Sequence, residues 1–105
     1  MIDPDGGPHA ERYKLRLFVT GSTPRSARAI ANMRKICEDK LSGRYDLEVV
    51  DVYENPEATR EMQVVATPTL VKILPEPLRR IIGDLSDQEK VLAGLNLTPL
   101  RPTDP

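Results

Sequence analysis

The first third of the chain alternates apolar and polar positions and then changes to a helical spacing. Residues 13–20 alternate with a period of two, which predicts a strand with one buried face. Gly21 ends this strand, and Thr23 followed by Pro24 supplies a helix N-cap and a first-turn proline. From there to about residue 41, apolar side chains recur at spacings of three and four, which predicts an amphipathic helix. The predicted buried stripe of this helix consists of Ala27, Ile30, Met33, Cys37 and Leu41.

The next apolar run predicts a second strand. Residues 45–53 alternate at first and become apolar on both sides near their end, which is typical of a central strand in a parallel sheet. Asn55 and Pro56 then open a short helix that is predicted to reach about residue 63. A strand, a helix and a strand in this order should form a right-handed parallel unit. The first half of the chain therefore predicts an α/β fold.

Prolines divide the second half of the chain into short elements. Residues 64–71 are rich in β-forming side chains but contain Pro68, and residues 75–77 form a proline loop. Residues 78–82 are predicted to form another strand. Ser86 at a cap position, with Glu89 three residues later, opens a final helix. The complete order is βαβαββα, which is the order of a thioredoxin-like α/β domain.

Composition limits the classes of protein that fit. The 105 residues suffice for one domain, predicted over residues 12–98, between a flexible leader at 1–11 and a flexible tail at 99–105. Fifteen basic and sixteen acidic residues give a net charge of −1, which argues against a nucleic-acid partner. No apolar run approaches the roughly 20 residues that span a bilayer, and no signal peptide is recognisable. We therefore expect a cytoplasmic protein without a membrane partner.

The sequence offers little that could carry catalysis. A thioredoxin-like enzyme would place a reactive cysteine in the loop after its first strand, but residues 21–26 contain none. The single cysteine, Cys37, falls on the predicted inner stripe of the first helix, where a thiol serves as a small apolar core residue. His9 is the only histidine and has no nearby metal-binding partner in the sequence. We expect no catalytic residue, no cofactor and no metal.

Two groups of residues leave alternatives open. The basic side chains on the first helix and beside the proline loop form either a solvated mixed-charge surface or a docking face for an acidic protein partner. The Thr67-Pro68 pair lies where thioredoxin-like domains have a cis proline. Together with Pro75 and Pro77 it gives either rigid turns or a slow conformational choice. The basic residues concerned are Arg25, Arg28, Arg34, Lys35, Lys72, Arg79 and Arg80.

Several blocks of the sequence resemble the KaiB family of bacterial clock proteins. The opening at residues 13–21, with Thr23-Pro24 and Ser26 after it, is similar to the start of the family. The block at residues 66–87 resembles the family's most distinctive stretch, and the similarity continues to about residue 97. The matching runs in this block are Ala66-Thr67-Pro68-Thr69-Leu70, Lys72-Ile73-Leu74-Pro75 and Arg79-Arg80-Ile81-Ile82-Gly83-Asp84-Leu85-Ser86-Asp87.

The resemblance implies a non-enzymatic regulator of a KaiC-like ATPase. Family members bind the KaiC ring and influence its phosphorylation and ATPase cycle in a circadian clock or a simpler timer. The positions that face KaiC in the family correspond here to Arg28, Lys72, Arg79 and Arg80. The alternative function is a thioredoxin-like adaptor for a SasA-like sensor kinase, or for a stress response, without an oscillator.

The resemblance also implies two interconverting folds for the second half of the chain. A ground-state fold of order βαββααβ, present as a homotetramer or homodimer, exchanges with a thioredoxin-like monomer that binds the partners. This assigns Pro68, Pro75 and Pro77 to the switch. Gly94 and Asn96 lie in a segment that is a strand in one fold and a helix in the other. Glycine weakens a helix by roughly 1 kcal/mol relative to alanine, which would keep the two folds close in energy.

Some positions depart from the family pattern. Glu48 and Asp46 replace Lys and Ala positions that the family uses toward KaiA, so KaiA binding is not carried over. Asn96 replaces a frequent Asp. An Asp near a helix C-terminus opposes the helix dipole, so Asn is expected to favour the helical form by about 0.3–1 kcal/mol.

Overall fold

The computed structural model describes residues 12–41, 44–95 and 97. The predicted leader at 1–11 and tail at 99–105 lie outside the described residues. Within the described part, the order of strands and helices is βαβαββα, as predicted. The elements are β1 (Tyr13–Val19), α1 (Pro24–Ile36), a π-helical turn (Cys37–Leu41), β2 (Tyr45–Asp51), α2 (Pro56–Glu61), β3 (Thr69–Leu74), β4 (Arg79–Ile82) and α3 (Gln88–Gly94).

The strands form one mixed sheet in the order β2-β1-β3-β4. β1 and β2 are parallel, as predicted, with Leu17 opposite Val49. β3 runs antiparallel to β1, and β4 runs antiparallel to β3. The prediction that the second strand is central is wrong, because β3 pairs with the other side of β1 and leaves β2 at an edge. β2 and β4 are therefore the edge strands, and each has one side of its backbone outside the sheet ladder.

Two apolar clusters hold the helices against opposite faces of the sheet. The larger cluster joins α1 and α3 to side chains of β1 and β3, and the smaller one joins α2 to Phe18, Val50 and Val71. No helix in the described part of the chain is both long and apolar enough to cross a membrane. The larger cluster consists of Tyr13, Leu15, Leu17, Val19, Ala29, Met33, Ile36, Cys37, Leu41, Leu70, Leu85, Val91, Leu95 and Leu97.

The buried stripe of α1 differs in part from the predicted one. Met33, Cys37 and Leu41 are buried as predicted, but Ala27 is exposed, and Ala29 and Ile36 are buried instead. The differences lie inside α1, ahead of the π-helical turn. The buried side of α1 begins at Ser26 and continues through Ala29, Met33 and Ile36 at spacings of three and four, whereas the prediction begins at Ala27.

The caps of α1 and α3 decide where these helices begin. Thr23 caps α1 as predicted, since its hydroxyl accepts the Ser26 N–H at 3.2 Å. The prediction that Ser86 caps the last helix is wrong: Asp87 is the cap, and its carboxylate accepts the Lys90 N–H at 3.1 Å. The Ser86 N–H instead donates to the Asp84 carboxylate at 3.1 Å. This Asp84 turn places the cap one residue later.

Candidate functional site

The region where a thioredoxin-like enzyme carries its thiol chemistry holds hydroxyl groups instead. A cleft of about 210 Å³ lies beside the end of β1, and the Thr20 and Thr67 hydroxyls on its wall are hydrogen-bonded to each other. The prediction of a cis proline at this place is confirmed, because the Thr67-Pro68 bond is cis and Pro68 is buried. The described residues at this cleft include no cysteine.

The only thiol of the chain is remote from solvent. Cys37 is 0% exposed and belongs to the larger apolar cluster, as predicted. Burial raises the pKa of its thiol to about 12, although the Arg34 guanidinium acts in the opposite direction. At neutral pH the group is a thiol rather than the nucleophilic thiolate. Among the residues that the structure describes, no group of three His, Cys, Asp or Glu side chains could hold a metal ion.

Arg79 and Arg80 are adjacent in sequence but lie on opposite faces of β4. Arg79 stands opposite Lys72, and Arg80 stands opposite Val71. Successive residues of a strand alternate between faces. Ile81, on the face of Arg79, packs against the larger cluster, whereas Arg80 reaches the chain that follows α2. These two arginines are therefore not equivalent parts of one basic cluster.

Arg80 contacts the backbone after α2. Its Nη1 donates hydrogen bonds to the carbonyl of Met62 at 2.7 Å and to the carbonyl of Gln63 at 3.2 Å. Within the described residues, no hydrogen bond or ion pair involves the side chain of Arg79, and this side chain is exposed. The guanidinium of Arg79 is thus available to a partner, whereas the Nη1 of Arg80 is already hydrogen-bonded within the chain.

Arg28 and Asn32 of α1 hold the loop before α3. The Nε of Arg28 lies 3.6 Å from the Asp84 carboxylate, and the Asn32 amide donates to the Asp84 carbonyl at 2.8 Å. Hydrogen bonds from Ser86 lower the pKa of Asp84, and the charge of Arg28 lowers it further. Arg28 remains 60% exposed and can still reach a second carboxylate.

Lys72 is in the interior, unlike the other predicted contact residues. It is 1% exposed and lies in the central part of the sheet between Leu15 of β1 and Arg79 of β4. Lys72 is expected on an accessible basic face, but in this fold it is not accessible. It has sheet neighbours on both sides and is one of the largest fully buried side chains. A lysine in this position is part of the packing of the fold.

The residues assigned to a fold switch are spread over the second half. Besides the Thr67-Pro68 bond, the bonds preceding Pro75 and Pro77 are also cis, and both prolines lie in the loop between β3 and β4. Gly94 ends α3, and a Cβ placed there would lie 3.4 Å from the Cδ1 of Ile81. Asn96 lies outside the described residues. The prolines and Gly94 thus border the elements that the resemblance assigns to the switch.

The two acidic departures at the β2 edge are paired with basic side chains. Arg16 Nε lies 3.0 Å from the Glu48 carboxylate, and Arg12 Nη2 lies 2.9 Å from that of Asp46. The hydrogen bond and charge of Arg12 lower the pKa of Asp46. The acidic charges at this edge are therefore neutralised by basic side chains of the same chain.

Exposed apolar side chains close to Arg79 in the sequence are not part of the predicted site. Leu74 is 48% exposed, Leu78 is 44% exposed and Ile82 is 55% exposed. We call Leu78, Arg79 and Ile82, with the outward backbone of β4, the β4 edge. The sequence signal of this edge is a short apolar run with two arginines. This run predicts a strand, but it does not show that the strand is the last one in the sheet.

The sequence matches known proteins over most of its length. The family profile described as "KaiB domain" matches residues 16–97. The circadian clock oscillator protein KaiB of Rippkaea orientalis is 55% identical over 85 residues, which cover 81% of this chain and 82% of that protein. The circadian clock oscillator protein KaiB1 of Synechocystis sp. is 52% identical over 90 residues, which cover 86% of both chains.

Solved structures share the fold. The N-terminal domain of Synechococcus elongatus SasA superposes with a TM-score of 0.69 at 26% identity, over 91% of this chain and 92% of that domain. Mitochondrial thioredoxin 3 of Saccharomyces cerevisiae gives a TM-score of 0.66 at 20% identity, over 82% and 78% of the two chains. The fold is thioredoxin-like, as predicted. With the profile and the relatives that are more than 50% identical, the chain belongs to the KaiB family of circadian clock proteins.

Proposed function

We propose that this clock protein acts in the cytoplasm by binding a KaiC-like ATPase ring and thereby regulates the ring's phosphorylation or ATPase cycle. The observation that carries the proposal is the β4 edge, an open strand edge that exposes Arg79, without an internal partner among the described residues, on one face and Ile82 on the other. An open strand edge offers unpaired backbone groups. Arg79 adds a charge that selects an acidic segment, and Leu78 and Ile82 add apolar area.

We propose that the protein acts on its partner by binding and not by catalysis. The support for this is the buried Cys37 thiol with its raised pKa, together with the loop at residues 21–26, which contains no cysteine. Arg28, exposed on α1, is a second contact for the partner. Lys72 is not proposed as a contact in this fold because its side chain is buried.

Replacing Arg79 by alanine should weaken the complex with the cognate KaiC-like ATPase by about 1–3 kcal/mol, because a charged hydrogen-bond donor is lost from the contact. Titration calorimetry against each nucleotide and phosphorylation state of the ATPase measures this change. Arg60→Ala, which removes an exposed arginine from α2, is the matched control and should bind like the natural chain. Equal affinity of the Arg79→Ala protein, or no complex in any state of the ATPase, would contradict the proposal.

A second candidate function is an adaptor for a SasA-like sensor kinase. The likeness to the SasA N-terminal domain favours it, since two domains of the same fold can present similar surfaces. Binding to the kinase together with no binding to the ATPase would support this alternative. KaiA is not proposed as a partner, because Asp46 and Glu48 are paired within the chain at the β2 edge.

We propose further that the second half of the chain exchanges with the family's ground-state fold, in a homotetramer or homodimer. Gly94→Ala should shift this exchange toward the thioredoxin-like form by up to about 1 kcal/mol, or about fivefold in the ratio of the two forms. The added Cβ would make an ordinary contact with Ile81. The ratio of NMR peak volumes for the two forms measures the shift.

Ala93→Gly is the opposing variant for this experiment. Ala93 is an exposed residue of α3, so its replacement by glycine should weaken the same helix and move the ratio the other way. An unchanged ratio in both variants would show that the stability of α3 does not set the balance between the forms.

A further inference from the structure

Arg80 closes the C-terminal end of α2. α2 ends at Glu61, and the last carbonyls of a helix have no partner inside the helix. The Arg80 Nη1 lies between the carbonyls of Met62 and Gln63, at 2.7 Å and 3.2 Å. Gln63 has a φ of 56°, so the chain turns sharply out of the helix at this point. A cation at this place satisfies the exposed carbonyls and complements the negative end of the helix dipole.

The same contact anchors β4. This strand has only four residues and pairs with β3 on one side alone. Its N-terminal half is tied by Arg80 to residues 62–63, and just beyond its C-terminal end the Gly83 N–H donates to the Pro68 carbonyl at 3.0 Å. These two ties hold a short edge strand against the segment 62–68. An edge strand without such ties would exchange more readily with open conformations.

Arg79 is carried by this anchored strand and faces the opposite side. Building on the proposed function, we propose that Arg80 is a positioning residue: it fixes β4 against the end of α2 and so holds Arg79 in place for an acidic partner segment. Arg79 makes the ionic contact with the partner. Arg80 contributes to binding only by holding Arg79 in position. Ordering Arg79 before association lowers the conformational entropy that binding has to remove.

A double-mutant cycle on the full chain tests this division of roles, with the cognate KaiC-like ATPase as the probe. Arg79→Met should lower the affinity about tenfold or more and flatten its dependence on salt concentration, because an ionic contact is lost. Arg80→Met should lower the affinity about three- to tenfold and leave the salt dependence unchanged. The double variant should bind within about twofold of Arg79→Met, because Arg80 has no contact of its own to lose.

Hydrogen exchange of the free protein provides a readout that does not depend on the partner. The amides of Gln63 and Val64 donate to the carbonyls of Arg60 and Thr59 at 3.1 Å. Arg80→Met should speed their exchange about tenfold, whereas Arg79→Met should leave it unchanged. Arg80→Lys retains a cation that can donate to the same carbonyls and should restore part of the protection, which also serves if the methionine variant does not fold.

Two outcomes would overturn the proposal. Additive losses of affinity, with the salt dependence flattened equally by both single variants, would make Arg80 a direct contact. Unchanged exchange at Gln63 and Val64 in the Arg80 variants would show that the closure of α2 has no energetic consequence. If neither variant weakens binding while the exchange changes as expected, the proposed partner surface fails and the anchoring by Arg80 stands.

Discussion

Phe18→Ala should lower the free energy of unfolding by about 3–5 kcal/mol. Phe18 is 0% exposed, and with Val50 and Val71 it forms the smaller apolar cluster. The loss of so large a buried side chain removes its transfer free energy and leaves a cavity. Urea denaturation followed by circular dichroism measures the change. Since the chain contains no tryptophan, fluorescence is a poor probe.

The same substitution should act on the short helix more than on the rest of the fold. Ala58 of α2, with Met62 just after it, packs against the Phe18 cluster, and α2 has no fully buried residue of its own. Hydrogen exchange at α2 should therefore accelerate more than exchange in α1. Phe18→Leu, which retains most of the volume, should cost less than about 1.5 kcal/mol. A loss below 1 kcal/mol for Phe18→Ala would contradict this packing of α2.

The first half of the fold could be predicted because its local signals agree. The alternation in β1 and the Thr23-Pro24 start of α1 each appear in the structure as predicted. The buried side of α1 could not be predicted fully, because it begins with the polar Ser26, whose hydroxyl accepts the Thr20 N–H at 3.1 Å. A pattern of apolar positions does not include such a residue.

The start of α3 shows that tertiary contacts can decide which of two adjacent residues caps a helix. Ser86 and Asp87 are adjacent residues, and both are good N-caps. The Asp84 carboxylate takes the Ser86 N–H, while Arg28 and Asn32 of α1 hold Asp84. These contacts come from a helix more than 50 residues earlier in the chain, since Asn32 and Asp84 are 52 positions apart. A local pattern could not contain that information.

The candidate site was predicted as a set of basic residues, and the structure separates them. The alternation of a strand is enough to place Arg79 and Arg80 on opposite faces, so this difference was available from the sequence once β4 was assigned. The hydrogen bonds of Arg80 to the end of α2 were not available, because they join residues 17 and 18 positions apart. The burial of Lys72 was also unexpected, since lysine is almost never fully buried.

Lys72→Ala should lower the free energy of unfolding of this fold by about 2–4 kcal/mol, although lysine substitutions at a protein surface usually change it by less than 0.5 kcal/mol. The side chain is 1% exposed and is not without interaction partners. Its truncation leaves a cavity between β1 and β4 and removes those interactions. Urea denaturation, at a pH where the two proteins have the same oligomeric state, measures the difference.

Lys72→Met separates the contribution of packing from that of the charge. Methionine retains most of the buried volume, so this variant should be more stable than Lys72→Ala by about 1–3 kcal/mol. Both variants lack the ammonium group, so the effect of removing this group is the same in each. If Lys72 were instead an accessible contact for the ATPase, Lys72→Ala would weaken the complex and leave the free energy of unfolding unchanged. The two measurements on the same pair of variants therefore distinguish an interior residue of the thioredoxin-like fold from a surface contact, because only burial makes the stability of the free protein depend on the volume at this position.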